Sequence, residues 1–386
     1  MRYVILIIVA LISYGSLYPF RFSGEILGAS EFWSWVTVMN FQTTRSDIIA
    51  NILLFMPYGF ACMMALTTRA RNPLLTASLV GFGVLLAFVL QYLQLYIPAR
   101  VPDSVDALYN SLGIFLGMFS AHLLRKYSQG QSMTKSLLSD WSRMTIPIML
   151  ALIFILWRLY PFVPLLTADS IAQSVNPLLI KPSLDLTIVI RDALLWLMFF
   201  LLITRPPFEA ISRFKLLRLT MTLMAAEILI KNNQLTINDL LAALAAFALY
   251  ASTTRRQLEQ SLYKGMAIAM LLLMLENIQL PDEQFTYSWL PFAAMLKGSP
   301  WLSVELLLLK GYLFGCFIYL LRSSLVSWEG ATFLCAVYLI LLTLLQGLVT
   351  PDKGDITDPI LAVVFGVAMS QFEKLASREK ALTLNQ

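Results

Sequence analysis

Charged residues are scarce in this sequence of 386 residues. Asp, Glu, Lys and Arg make up 13% of it, whereas hydrophobic residues make up 58%. A soluble domain carries about a quarter charged residues, so this chain has too little charge to coat a water-facing surface. The polar gaps between its apolar runs are also short, which leaves no room for a sizeable soluble domain.

Histidine and cysteine are rare as well. The single histidine is His122, and the three cysteines (Cys62, Cys316 and Cys335) all lie inside apolar runs. This distribution argues against a catalytic histidine, a disulfide framework or a zinc cluster, and we predict neither a metal nor a cofactor. No basic stripe alternates with aromatic residues, so the net charge of +5 does not indicate a nucleic-acid partner.

Apolar runs near 20 residues recur from end to end, and each can cross a hydrocarbon core of about 30 Å as a helix. The sequence therefore predicts an all-α, polytopic membrane helix bundle whose main partner is membrane lipid. The twelve predicted helices cover residues 3–20, 47–66, 74–96, 106–124, 143–162, 185–204, 216–231, 238–252, 262–279, 302–321, 328–349 and 357–371.

The distribution of Lys and Arg predicts the orientation of the bundle, because cytoplasmic loops are enriched in these residues. With the N-terminus in the cytoplasm, 18 of the 28 basic residues fall on the cytoplasmic side, 7 fall outside and 3 lie within helices. An even number of helices then places both termini in the cytoplasm. The predicted location is a bacterial inner membrane, crossed many times.

Internal spacings predict three tandem four-helix units, at about 1–130, 140–256 and 260–386. The sequence Leu-Tyr-Pro-Phe at 17–20 recurs at 159–162. An amide or acid near the end of each third helix is followed, nine and twelve residues later, by polar residues at the start of the fourth. These triplets are Gln94-Asp103-Asp106, Glu227-Thr236-Asp239 and Gln346-Asp355-Asp358.

The first unit has the fullest polar set, at the outer ends of its second, third and fourth helices. Amides and charges without partners are costly in hydrocarbon, so they should face the bundle interior or a wet cavity. We predict one extracytoplasmic polar pocket lined by Asn51, Gln91, Gln94, Arg100, Asp103, Asp106 and Asn110.

Helix capping is the alternative interpretation of the aspartates. The pattern Asp103-x-x-Asp106 fits a capping-box-like start of the fourth helix, and acidic groups favour the positive end of the helix dipole. Capping does not explain why Asn51, Gln91 and the nearby amides and arginine converge on the same end of the unit.

The second and third units carry charged residues inside their predicted helices. Asp192 and Glu305 occupy the positions that match Asn51. Two local charge pairs are predicted there, the first between Arg191 and Asp192 and the second between Glu305 and Lys310.

The first unit, over about residues 1–125, resembles the VanZ-like membrane family, named for a teicoplanin-resistance protein. Its second helix carries the motif Asn51-x-x-x-Phe55-x-Pro57-x-Gly59-Phe60, in which Gly59 suits close helix contact, as Gly113 does in the fourth helix. The polar positions that agree in order and spacing are Gln94, Arg100, Asp103, Asp106 and Asn110, followed by Gly113.

The resemblance implies a small helical membrane module linked to cell-envelope or surface-polysaccharide processes, with no settled reaction or cofactor. The family usually has Glu at the position of Gln91. The substitution removes a carboxylate and so weakens an acid–base or proton-coupled role.

Four functions remain open at this point. The leading one is support of cell-envelope or exopolysaccharide processes, or glycopeptide resistance, through binding of a glycan, a lipid headgroup or a glycopeptide in the polar pocket. A membrane enzyme acting on a polyprenyl-linked glycan could use Asp103 and Asp106 to bind a divalent metal or as acid and base, although no nucleophile–base pair accompanies them. A transporter for an envelope precursor would use the charges within the helices. A scaffold for other envelope proteins is the fourth.

Overall fold

The structure is a computed structural model of the full chain. It describes residues 2–23, 29–37, 45–66, 73–98, 103–130, 135–165, 167–180, 182–204, 211–231, 233–276, 290–292, 300–324, 326–349 and 356–384. Within these residues the regular elements are fourteen α-helices, and the only β pairing is an isolated bridge between Pro164 and Ile230. The packing separates two compact units, Met1–Met133 and Thr134–Gln386.

The N-terminal unit contains the first five helices. They are α1 (Arg2–Leu17), α2 (Ala29–Thr37), α3 (Arg45–Ala65), α4 (Pro73–Gln94) and α5 (Ser104–Gly130). Asp103 sets the start of α5, because its Oδ1 accepts a hydrogen bond from the backbone N–H of Val105 at 3.0 Å. This contact satisfies one of the amide donors that the first turn of a helix leaves open.

The C-terminal unit contains the other nine described helices. They are α6 (Lys135–Arg158), α7 (Ala168–Leu179), α8 (Leu186–Ile203), α9 (Arg213–Ile228), α10 (Ile237–Ser252), α11 (Arg255–Glu276), α12 (Pro300–Ser324), α13 (Trp328–Val349) and α14 (Thr357–Leu384). Thr236 and Asp239 form a capping box at the start of α10, which confirms the capping interpretation there.

Each of the twelve predicted segments overlaps a helix of the structure, whereas α2 and α7 are not predicted. Six described stretches are long and apolar enough to cross a membrane: Asp47–Ala65, Pro73–Gln94, Leu186–Ile203, Arg255–Leu275, Ser303–Ser323 and Trp328–Gln346. Shorter apolar helices lie at Tyr3–Leu17, Ile146–Arg158 and Ile237–Ser252. The chain is therefore an all-helical membrane protein with several crossings, while the number twelve and the cytoplasmic termini stay predictions.

Glycine brings α3 and α5 into direct backbone contact. A Cβ atom at Gly59, Gly113 or Gly117 would overlap backbone atoms of the facing helix. The expectation that Gly59 and Gly113 allow close helix contact is confirmed, and Gly117 extends the contact by one further turn. This contact fixes the start of α3 beside the start of α5.

An aromatic core holds the C-terminal unit together. Phe154 of α6 stacks on Phe199 of α8 with 4.6 Å between ring centroids, and it lies 5.1 Å from the ring of Tyr312 on α12. The Tyr312 hydroxyl donates to the carbonyl of Leu195 at 3.0 Å. Helices from the second and third predicted units thus share one core, and the division at about 256–260 stays a prediction.

A Pro-Phe turn follows α1 and α6, within the matching Leu-Tyr-Pro-Phe sequences at 17–20 and 159–162. Phe20 has φ 61° and Phe162 has φ 62°, a left-handed conformation that is uncommon for residues other than glycine. Their backbone N–H groups donate to the carbonyls of Leu17 and Leu159 at 2.8 Å and 2.9 Å. Phe292 adopts the same backbone conformation, also with φ 62°. The two sequence matches therefore share their local geometry, while the full threefold repeat stays a prediction.

Candidate functional site

Polar side chains from three helices meet at one end of the N-terminal unit. We call this group the polar cluster and define it by Asp47, Asn51, Gln91, Gln94, Asp103, Ser104, Asp106 and Asn110. The first two lie on α3, the next two on α4, and the rest at the start of α5. Arg100, which the sequence also predicts here, lies outside the described residues.

Three carboxylates form the acidic part of the polar cluster. Asp103 caps α5, and Asp106 lies in its first turn. Asp47, in the first turn of α3, and Asp103 are close enough to Asp106 for their charges to repel its own. The Asp106 Oδ1 atom is buried and has no hydrogen-bond partner among the described residues. A positive group or a hydrogen-bond donor next to Asp106 would stabilise its carboxylate.

Two amides and a hydroxyl are the buried members of the polar cluster. Gln91 is 5% exposed and Asn110 is 2% exposed, and Ser104 is buried as well. Gln91 Oε1, Asn110 Oδ1 and Ser104 Oγ have no hydrogen-bond partner within the described part of the chain. An unsatisfied buried polar group costs about 1–3 kcal/mol, and native proteins contain few of them. These three atoms and Asp106 Oδ1 are the buried oxygens of the polar cluster that lack a described partner.

The remaining predicted residues have different surroundings. Gln94 Nε2 donates to the backbone carbonyl of Ser16 at 2.9 Å, which ties the end of α4 to the end of α1. Asn51 is half-buried, one turn after Asp47, and makes no described hydrogen bond to another member of the polar cluster. The structure therefore brings Asp103, Asp106 and Asn110 together on α5, with Gln94 acting as a strut.

Metal ligation is an alternative use of these side chains. Within the described ranges, no three His, Cys, Asp or Glu side chains are arranged to hold a metal ion. All three cysteines are buried free thiols.

Residues 6–125 match the VanZ/LLP1 family model. The N-terminal unit is VanZ-like. This match confirms the resemblance predicted from the polar motif, and it covers the whole polar cluster. No curated protein and no solved structure matches the chain.

The VanZ-like unit also has an apolar cleft at the end opposite the polar cluster. It lies between the end of α3, the start of α4 and the later turns of α5. Its lining is Met63, Leu66, Pro73, Thr76, Ala77, Val80, Gly81 and His122. It offers His122 and Thr76 as its polar side chains, so the polar cluster remains the better candidate for recognition of a polar molecule.

In the C-terminal unit, a charge network joins the end of α6, the end of α9 and the start of α10. The Arg158 guanidinium donates through Nε and Nη2 to the two carboxylate oxygens of Glu227, each at 2.6 Å. Nη2 also donates to Asp239 Oδ1 at 3.1 Å. Asn233 Nδ2 donates to the backbone carbonyl of Arg158 at 2.8 Å. Every charge in this network has an internal partner.

The two predicted charge pairs have opposite outcomes. Arg191 Nε donates to Asp192 Oδ1 at 2.7 Å, which confirms the first pair. The pairing of Glu305 with Lys310 is wrong, because Lys310 Nζ binds Asp358 Oδ1 on α14 at 2.5 Å. A separation of five residues turns a helix by about 140°, so Glu305 and Lys310 point to different faces.

Sequence reasoning left Asp47 and Ser104 out of the predicted site, and it did not predict the network around Arg158. Asp47 precedes Asn51 by four residues, a spacing that places both on one helix face, so the signal was present. Ser104 follows the capping Asp103 directly. Arg158 gave no local signal, because its partners Glu227 and Asp239 lie 69 and 81 residues away along the chain.

Proposed function

We propose that this protein supports a cell-envelope process, such as surface-polysaccharide handling or glycopeptide resistance, from the bacterial inner membrane. Its VanZ-like unit binds a polar ligand in the polar cluster, on the extracytoplasmic side. The ligand is a glycan, a lipid headgroup or a glycopeptide, and a lipid-linked envelope precursor would present the first two together. The observation that supports this proposal is the set of buried oxygen atoms without partners on Gln91, Ser104, Asp106 and Asn110.

The chemistry of these atoms favours binding over catalysis. Carboxylate and amide oxygens accept hydrogen bonds, and sugars, headgroups and peptides supply hydroxyl or N–H donors. An unpaired acceptor in hydrocarbon has no water molecule to bond. A ligand that donates hydrogen bonds to several buried acceptors is therefore bound more strongly than it would be at an exposed surface. The described residues contain no nucleophile paired with a base in this cluster.

Replacement of the orphaned amides tests the proposal. Asn110→Leu and Gln91→Leu keep the side-chain size and remove the unmet oxygens, so we expect the protein to stay folded and to reach normal membrane abundance. Function should be lost. The measurement is complementation of a deletion strain, scored by glycopeptide survival and by exopolysaccharide yield.

Ser111→Ala is the matched control on α5, because the Ser111 hydroxyl donates to the Ala107 carbonyl of its own helix at 2.7 Å. The Ser111→Ala variant should restore function to the deletion strain as well as the wild-type protein does. Full complementation by both leucine variants would show that the polar cluster has no role in function.

The transporter alternative needs a continuous polar path, and the described charges within the helices count against it. Each of the following cations is sealed against a carboxylate: Arg158 with Glu227 and Asp239, Arg191 with Asp192, and Lys310 with Asp358. No observation specifically favours an enzyme or a scaffold for other envelope proteins.

A further inference from the structure

An aspartate opens the fourth helix of each predicted unit, and its pairing differs between the units. Asp239 at the start of α10 binds Arg158 Nη2 at 3.1 Å. Asp358 at the start of α14 binds Lys310 Nζ at 2.5 Å. Asp106 at the start of α5 keeps a buried Oδ1 atom without a described partner. Within the described part of the chain, Asp239 and Asp358 are thus each neutralised by an internal cation, and Asp106 is not.

Neutral residues stand in the VanZ-like unit where the other units place those cations. Arg158 directly precedes the Leu-Tyr-Pro-Phe sequence at 159–162, and Ser16 precedes its counterpart at 17–20. Lys310 follows Glu305 by five residues, just as Met56 follows Asn51. A serine and a methionine cannot neutralise a carboxylate.

Ser16 and Arg158 each lie directly before a Leu-Tyr-Pro-Phe turn of the same backbone geometry, in which Phe20 and Phe162 have φ values of 61° and 62°. A side-chain amide also donates to each of their carbonyls: Gln94 at the end of α4 to Ser16 at 2.9 Å, and Asn233 after α9 to Arg158 at 2.8 Å. Ser16 is 7% exposed, so it lies inside the unit. Its short side chain carries no cation, whereas Arg158 extends a guanidinium to Asp239.

We infer that Asp106 binds the cationic group of an external ligand, an ammonium or a guanidinium, in the place that Arg158 fills in the C-terminal unit. Asp47 and Asp103 add negative charge around this place. Gln91 Oε1 and Asn110 Oδ1 supply neutral acceptors, both on side chains more than nine-tenths buried. An ammonium has three donors to share among such acceptors. The inference rests on the proposed ligand-binding function and narrows the ligand class.

Two sources could present the same ammonium: a soluble amine, such as an amino sugar, or the headgroup of phosphatidylethanolamine. The test uses the purified full-length protein in nanodiscs of phosphatidylglycerol. Glucosamine is titrated against N-acetylglucosamine, its neutral counterpart, with the dissociation constant and the thermal shift as readouts. A second nanodisc series adds phosphatidylethanolamine without a soluble amine.

We expect one of the two amines to stabilise the wild-type protein. Charge-assisted hydrogen bonds are the strong ones, so Asp106→Asn should bind the active amine about tenfold to a hundredfold more weakly. The matched control is Asp358→Asn, which breaks the pair with Lys310 and should keep the response to the amine. Ser16→Arg should place a guanidinium beside Asp106 and abolish the response.

The outcomes separate this inference from the proposed function. A response to glucosamine alone supports a soluble amine, and a response to phosphatidylethanolamine alone supports a headgroup. Equal binding of N-acetylglucosamine and glucosamine, unchanged by Asp106→Asn, would overturn the cationic ligand while leaving a polar ligand site. No response to either amine would overturn it as well, and the leucine variants at Gln91 and Asn110 would still test the site. If Ser16→Arg does not fold, Asp106→Asn alone decides.

Discussion

Among single residues, Arg158 carries the most fully paired charge described in the chain. Its guanidinium bonds Glu227 and Asp239 and lies 5.4 Å and 5.6 Å from the ring centroids of Trp157 and Trp196. Arg158→Met would leave the buried carboxylate of Glu227 and the partly buried one of Asp239 without a cation, and we expect it to lower the free energy of unfolding by about 3–5 kcal/mol. Thermal unfolding of the purified protein in detergent measures the loss.

An exposed ion pair provides the control for Arg158. Lys374 lies 3.7 Å from Glu329, and their side chains are 60% and 72% exposed. Lys374→Ala should leave the free energy of unfolding almost unchanged, because an exposed ion pair contributes little to stability. Similar losses for the two variants would contradict a structural role for the Arg158 network.

At the scale of helices, the contact between α3 and α5 decides the shape of the VanZ-like unit. A methyl group at Gly113 would overlap the backbone of α3, so Gly113→Ala must push the helices apart. We expect a loss of about 1–3 kcal/mol, the usual effect of overpacking, measured as a lower midpoint of thermal unfolding.

Gly81 on α4 is the matched control, because a Cβ atom there would have no neighbour within 4 Å. Gly81→Ala should stabilise the protein by about 0.5–1 kcal/mol, since alanine loses less backbone freedom in a helix than glycine. A destabilisation of the same size at both glycines would refute the specific contact.

For the whole molecule, the predicted orientation can be tested by labelling. The native cysteines are buried, and Lys231 and Arg256 are exposed side chains near helix ends that are predicted to lie on opposite sides of the membrane. Lys231→Cys should react with a membrane-impermeant thiol reagent in intact cells, because its loop is predicted to be extracytoplasmic. Arg256→Cys should react only after permeabilisation. The reverse labelling pattern would show that the orientation is opposite to the predicted one.

The long helices could be predicted from the sequence, because a membrane crossing requires a long apolar run. The short helices α2 and α7 could not. They have 9 and 12 residues, and α7 contains Pro177. The ends of α5 and α14 were also missed, at Gly130 and Leu384, because a helix that continues beyond its apolar run carries no hydrophobic boundary.

The candidate site was predictable in part. The spacing of Gln94, Asp103 and Asp106 indicated which end of the unit carries the polar residues, since three helices must bring their polar ends together there. The choice of partners was not predictable. Lys310 binds Asp358 rather than Glu305, and Arg158 binds one carboxylate on α9 and another on α10. Pairing between such distant segments depends on tertiary packing.

The glycine contact described for α3 and α5 sets the spacing of the two helix starts that carry Asp47 and Asp106. With Gly59, Gly113 and Gly117 at the seam, these two helices have no room to slide or roll against each other without colliding carbonyls. The separation of the two helix starts is therefore built into the backbone, and a ligand of the proposed kind that spans both must match it in length.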